Sequence, residues 1–195
     1  MPPGPAPSGD LRGPVRLTST DVTAQHPTEP PTPVTVERAR VGDVREIKRL
    51  VDEYAGPILL EKTLADLFED VTEFWVARLD GAVVGCGALH VFWEDLGEIR
   101  TVATDPRVRR RGVGYAVCSE IITHAVELGL HRLFVLTFEV PFFSSLGFEP
   151  IRELDLSLEA QAELRASYDR GVAEFLDLPF VKPNTLGNTR MLKHL

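Results

Sequence analysis

Residues 107–114, RVRRRGVG, lie between a strand-like run that ends at Thr104 and a helix that begins near Gly112. Such a junction constrains a chain strongly, because it demands a strand, a tight glycine-bearing turn and a helix in immediate succession. Four of the five residues 107–111 are arginines, in a chain that is otherwise acidic: 21 Lys+Arg against 29 Asp+Glu, a formal net charge of −8. A helix N-terminus offers unpaired N–H groups and a partial positive charge, and both suit phosphate. Gly112 and Gly114 remove the Cβ atoms that would hold a phosphate off the backbone. Guanidinium groups beside them add charge-assisted hydrogen bonds. The combination fits a pyrophosphate better than a single small anion. The competing interpretation is a solvated arginine run whose glycines merely permit a turn. Neither a Walker loop nor a G-x-G-x-x-G fingerprint is present. The following helix is net negative, which argues against a nucleic-acid patch.

Around this junction the apolar periods alternate. From Val34, VTVERA reads as a strand. Val44, Ile47, Leu50, Val51 and Tyr54 then form one helical stripe, with Asp43 as the expected N-cap and Gly56 as the stop. A short helix is expected from Thr63 to Val71, capped by Thr63. EFWVARL and AVVGCGALHVF flank Asp80-Gly81, a two-residue hairpin signature. GEIRTVAT reads as a strand closed by Asp105-Pro106, and the helix after the arginines should stop at Gly129. RLFVLTF reads as a buried strand, and PFFSSLGF as a short helix leading into another strand. A polar helix near 158–170 and a strand near 189–194 complete a mixed α/β domain over residues 34–195.

Residues 1–33 differ in kind. They hold nine of the fifteen prolines and almost no large apolar residues, so a disordered tail is expected there. The first thirty residues lack the apolar core of a signal peptide. The apolar stretch 81–93 is far short of the roughly 20 residues that a membrane helix needs. Cys86 and Cys118 are the only cysteines, both in apolar surroundings, which points to a reducing compartment and buried thiols. The expected location is cytoplasmic, with no membrane, nucleic-acid or metal partner.

The segment Arg109-Arg110-Arg111-Gly112-Val113-Gly114 resembles the R/Q-x-x-G-x-G/A pyrophosphate loop of the GNAT acetyltransferase family. The strand GEIRTVATDP before it, the long helix after it, LFVLTF, and FFSSLGF, similar to the family's F-Y-x-x-x-G-F element, extend the resemblance over about 160 residues. The resemblance implies the GNAT acyl-CoA N-acyltransferase fold, a central twisted and mostly antiparallel sheet flanked by helices. It implies acetyl-CoA as co-substrate, with the backbone of Thr101, Val102 and Ala103 along the pantetheine arm. Arg109 to Gly114 would hold the pyrophosphate, and Arg107 or Arg110 the 3′-phosphate. ILLEKTLADLFE, VVGCGALHVF and NTLGNTRML further resemble the acetyltransferase domain of N-acetylglutamate synthases. That likeness implies transfer to the α-amino group of glutamate, the first step of arginine biosynthesis, in a stand-alone form without the amino-acid-kinase domain of larger synthases. It leaves a homodimer open. Alternatives are another amine or a protein N-terminus as acceptor, or an acetyl-CoA-binding module without turnover.

Direct acetyl transfer requires a neutral amine, hence a base, and a backbone N–H for the developing oxyanion, expected near Val102. Glu98, fourteen residues before Gly112, matches the spacing of the strand-borne glutamate in some family members; the alternative is a surface carboxylate or a partner for Arg100. Phe143 stands where many members carry a tyrosine that protonates the thiolate, so Ser144, Ser145 or water would assist, or the thiolate would leave unaided. Lys62 falls where the synthases carry an arginine and is the first choice for an acceptor carboxylate. Thr189 keeps a hydroxyl in the synthases' R-x-S position, while Arg190 or Lys182 would replace its lost guanidinium. Cys86 and His90 are expected to be core or rim residues.

Overall fold

The computed structural model describes residues 33–56, 58–152, 154–165 and 187–195. The proline-rich tail, except Pro33, and Lys182 fall outside the described residues, as do positions 166–170 of the polar helix. Seven strands form one sheet in the order β1-β2-β3-β4-β5-β7-β6. They are β1 (Thr35–Arg38), β2 (Phe74–Leu79), β3 (Ala82–Trp93), β4 (Leu96–Thr104), β5 (Arg132–Thr137), β6 (Glu149–Pro150) and β7 (Thr189–His194). Every neighbouring pair is antiparallel except β4 and β5.

The β2–β3 hairpin turns at Asp80 and Gly81, both at positive φ (51° and 80°), the backbone of a type I′ turn. The helix α1 (Val44–Asp52) buries Val44, Ile47, Leu50 and Val51, so the helical stripe is a core face. It is shorter than its stripe, giving way to a turn before Gly56. Asp43 stands at its N-cap position without capping it by side chain; its carboxylate instead accepts from Arg40 N–H at 2.9 Å and from Arg78 at 2.7 Å. The helix α2 (Leu64–Glu69) is capped by Thr63, whose hydroxyl accepts from Asp66 N–H while Asp66 reciprocates.

The long helix α3 (Val113–Glu127) packs Val113, Val117, Ile121 and Ala125 on one face of the sheet, against Trp75, Leu89, Ile99 and Leu133. Glycines let it approach: a Cβ on Gly85 would meet Val113 at 2.5 Å, and one on Gly87 would meet Val117 at 2.9 Å. The opposite face carries two apolar clusters. One joins α1 and α2 to Val76, Cys86, Ala88 and Ala103. The other joins Phe92, Leu96 and Phe134 to α5 (Leu158–Leu164). The short α4 (Val140–Ser145) brings Phe143 against Phe142 and Phe148 in the α3 core. No helix among the described residues is long and apolar enough to cross a membrane.

Candidate active site

The parallel β4/β5 pairing stops early. Leu96, Gly97 and Glu98 pair with Arg132, Leu133 and Phe134, and β4 then continues to Thr104 without β5 beside it. The sheet forks at Glu98. On the other edge of β4, Cys86 faces Ala103 and Ala88 faces Arg100, so Thr101 and Val102 together oppose the single residue Gly87. This bulge bends the strand away from β5.

Three non-glycine residues among those described have positive φ: Asp80, Thr101 (56°) and Arg110 (63°). The hairpin accounts for Asp80. Thr101 and Arg110 both line one cleft, and a β-branched residue held there costs on the order of 1–3 kcal/mol. Strain concentrated at a cleft is the mark of a functional backbone.

The cleft has a volume of about 1090 Å³, ample for a large ligand and a small one together. It runs along the fork. Its floor is Glu98 to Val102 on β4 with Val135 to Thr137 on β5; one end is the turn Val108 to Tyr115, and the other is Ile58 to Asp70 around α2. Tyr54 ties α1 to this floor by donating its hydroxyl proton to Thr104 O at 2.6 Å.

At the turn, Gly112 is the N-cap of α3 with φ 75°, and a Cβ added there would meet nothing within 4 Å. Its glycine character therefore serves the backbone and leaves open space above the first N–H groups of the helix. Those groups have no intrahelical acceptors, and Arg109, Arg110 and Arg111 around them are exposed. The site thus fits a pyrophosphate on residues of this chain alone. Asp105, only 2% exposed, anchors the turn. It accepts from Arg107 Nε (2.9 Å), Arg107 N–H (2.9 Å), Arg107 Nη2 (2.6 Å) and Arg49 (3.4 Å). The Arg107 side chain, then its backbone N–H, hold the Asp105 carboxyl far below the usual carboxylate range, against the opposing effect of burial. Arg107 is thereby paired to Asp105 and stands outside the cleft lining, which Arg109 and Arg110 reach.

Glu98 is buried and lies on the face between the two apolar clusters, opposite His90 on β3. Lys62 lines the cleft and is paired to Asp70 at 2.9 Å. Arg100, which the sequence suggests as a partner for Glu98, reaches Glu73 at 2.8 Å and Asp70 at 3.6 Å. His90 Nδ1 lies 2.8 Å from Glu73 Oε1. Burial raises the Glu73 pKa, but the His90 hydrogen bond and the Arg100 charge outweigh it and hold the carboxyl low.

Thr101, Val102, Arg109, Arg110, Gly112, Val113, Gly114, Lys62 and Glu98 are thus brought to one cleft. Ala103 and Arg111 fall outside its lining: the Ala103 side chain belongs to the core cluster with α1, and Arg111 is exposed on the turn. Thr189 and Arg190 pair with Thr137 and Leu136, and the residue that reaches the lining is their neighbour Asn188. Sequence reasoning missed Arg100, Asp70, Tyr54 and Asn188 as cleft residues. Alternation along GEIRT, which sets Arg100 on the same face as Glu98, was the one available signal. Among the described residues no group of three His, Cys, Asp or Glu could hold a metal ion.

A model of the acetyltransferase (GNAT) family matches residues 43–148. The amino-acid acetyltransferase of Mycobacterium tuberculosis is 58% identical over 160 residues, which are 80% of this chain and 92% of that protein. A crystal structure of a Mycobacterium tuberculosis protein in complex with CoA and NLQ has a TM-score of 0.80 at 57% identity, covering 83% of this chain and 99% of that one. N-acetylglutamate synthase from Neisseria gonorrhoeae, complexed with coenzyme A and N-acetyl-glutamate, has a TM-score of 0.66 at 27% identity. There the similarity covers 83% of this chain but 35% of the larger protein.

Proposed function

The chain belongs to the acetyltransferase (GNAT) family, and on that premise we propose that it transfers acetyl from acetyl-CoA to the α-amino group of glutamate, the first step of arginine biosynthesis. The observation that carries the reading is the fork: a strand edge released from pairing at Glu98 leads straight to the glycine-capped N-terminus of α3. Relatives 58% identical over 160 residues and 32% identical over 132 residues are named amino-acid acetyltransferases, and the Neisseria synthase structure is a complex with N-acetyl-glutamate.

Acetyl-CoA, when bound, supplies the acetyl group as an activated thioester. Arg109, Arg110 and the N–H groups from Gly112 to Gly114 take the pyrophosphate, and the open edge from Thr101 to Ala103 offers backbone partners to the extended arm. The Val102 N–H is the donor for negative charge developing on the thioester oxygen. Glu98, at the root of the fork, removes the proton that the attacking amine must lose. Lys62 pairs with an acceptor carboxylate.

Cys86 has no covalent part. Burial pushes its thiol up to about 12 against a weaker backbone hydrogen bond, so it stays protonated, and its Sγ donates to Thr101 O at 3.8 Å. That supports direct attack by the amine rather than an acetyl-cysteine. Phe143 is buried and has no proton to give; a thiolate with a pKa near 8.5 leaves tolerably well without one.

The test is thiol release from acetyl-CoA by purified protein across free amino acids and short peptides. Release with glutamate well above all others supports the reading; release with peptides alone overturns it.

A further inference from the structure

The acceptor end of the cleft carries a charge arrangement that acetyl transfer alone does not require. Lys62 Nζ lies 2.9 Å from Asp70 Oδ2, and Arg100 Nη2 lies 3.6 Å from that same oxygen. One cation comes from the loop before α2 and the other from β4, so the tertiary fold, not sequence proximity, converges them on a single carboxylate oxygen. Lys62, Asp70 and Arg100 all line the cleft. The Arg100 side chain is 10% exposed, and a guanidinium so buried needs a counter-charge. Glu73, set back from the cleft lining, already supplies it at 2.8 Å. Asp70 is therefore a second carboxylate, on the cleft side, beyond what burying Arg100 demands.

We propose that Lys62 and Arg100 form the seat for the acceptor's carboxylate, that Asp70 fills this seat until an acceptor displaces it, and that Arg100 determines specificity for an acid over its amide. The proposal rests on the reading that the acceptor is an amino acid. An incoming carboxylate makes the contacts with the two cations that Asp70 makes in its absence. Arg100 follows Glu98 by two residues on the same face of β4, about 7 Å along the strand. Anchor and base are therefore separated by the length of one amino acid. Asp70 and Glu73 together match Lys62 and Arg100 in formal charge, one carboxylate for each cation. Removing the Asp70 charge leaves the seat net positive.

The experiment is calorimetric titration of glutamate into the CoA-bound enzyme, alongside kcat/KM for glutamate and glutamine. Arg100→Gln should weaken glutamate binding about tenfold or more, the effect of one lost charge-assisted hydrogen bond. KM for acetyl-CoA should stay put, and Arg100→Lys should recover part of the loss. Asp70→Asn should tighten glutamate about threefold or more and raise the glutamate-to-glutamine ratio of kcat/KM, since the competing charge is gone. If Arg100→Gln does not fold, Arg100→Lys and Asp70→Asn interrogate the same seat. Glutamate affinity indifferent to Arg100, or weakened by Asp70→Asn, overturns the seat. Arg100-dependent binding without turnover of glutamate would leave the seat standing and sink the proposed reaction; turnover with Arg100-independent binding would do the reverse.

Discussion

Substituting the two glycines of the phosphate turn one at a time should separate stability from coenzyme affinity. Gly112 has φ 75° and empty space where its Cβ would go. Gly112→Ala therefore pays only for left-handed backbone, about 1–2 kcal/mol, partly offset by about 0.4–1 kcal/mol from a stiffer unfolded chain. The net loss is about 1 kcal/mol, which in a domain of this size lowers Tm by roughly 2–4 °C. Gly114 is helical, and a Cβ there would touch the Phe142 ring at 3.5 Å and Thr104 Cγ2 at 3.7 Å, ordinary contacts. Gly114→Ala should hold or raise stability, because glycine in a helix costs about 0.5–1 kcal/mol relative to alanine. On the proposed phosphate reading, however, a methyl at either position crowds the backbone that the phosphate approaches. Two charge-assisted hydrogen bonds at about 1.5–3 kcal/mol each make the loss of CoA affinity about a hundredfold or more. Calorimetric titration with CoA and a thermal melt on the same samples give both numbers. If Gly112→Ala and Gly114→Ala bind CoA as the wild type does, the turn is not the phosphate site. If affinity falls only in the less stable variant, general unfolding explains the loss and close approach of the backbone does not.

Three further outcomes are expected. Glu98→Gln should lower kcat at neutral pH, with the deficit shrinking as the pH rises and more of the amine is already neutral; a pH-independent deficit would remove Glu98 from proton transfer. Asp105→Asn should cost about 1–3 kcal/mol of stability at pH 7 by denaturant titration. Because the folded carboxyl titrates below its unfolded value, that contribution is complete above about pH 4 and fades as the pH falls towards the folded pKa, so wild type and variant should converge in acid. Deleting residues 1–33, which hold no core-forming pattern, should leave Tm and turnover nearly unchanged; a drop of many degrees would show that the segment packs on the domain.

Local physics makes much of this protein legible in its sequence alone. Asp80-Gly81 can make little but a tight hairpin between apolar strands, Thr63 and Asp66 form a capping box within four residues, and Gly112 opens a helix directly after the arginines. Each depends on neighbours in the chain, and each is encoded within a few residues. The boundary errors follow the same logic. The α1 stripe runs to Tyr54, but the helix stops at Asp52, where Tyr54 turns to reach Thr104 across the sheet.

What the chain order could not reveal is decided by register. The Thr101 bulge exists because β3 offers one residue where β4 has two, and the fork because β5 stays with β4 for only three pairs. Those facts make Thr101 to Ala103 an open edge and set Glu98 at its root. Arg100 reads from the sequence as a neighbour of Glu98, and only packing shows that its guanidinium also meets Glu73 and Asp70, some thirty residues away in sequence. Likewise Asn188, not Thr189 or Arg190, meets the cleft, since β7 begins one residue later and carries those two into its pairing with β5. Side-chain type and local spacing name the chemistry a chain can do; which charges meet is settled only when distant strands fix their register, because electrostatic partners are chosen by distance in space.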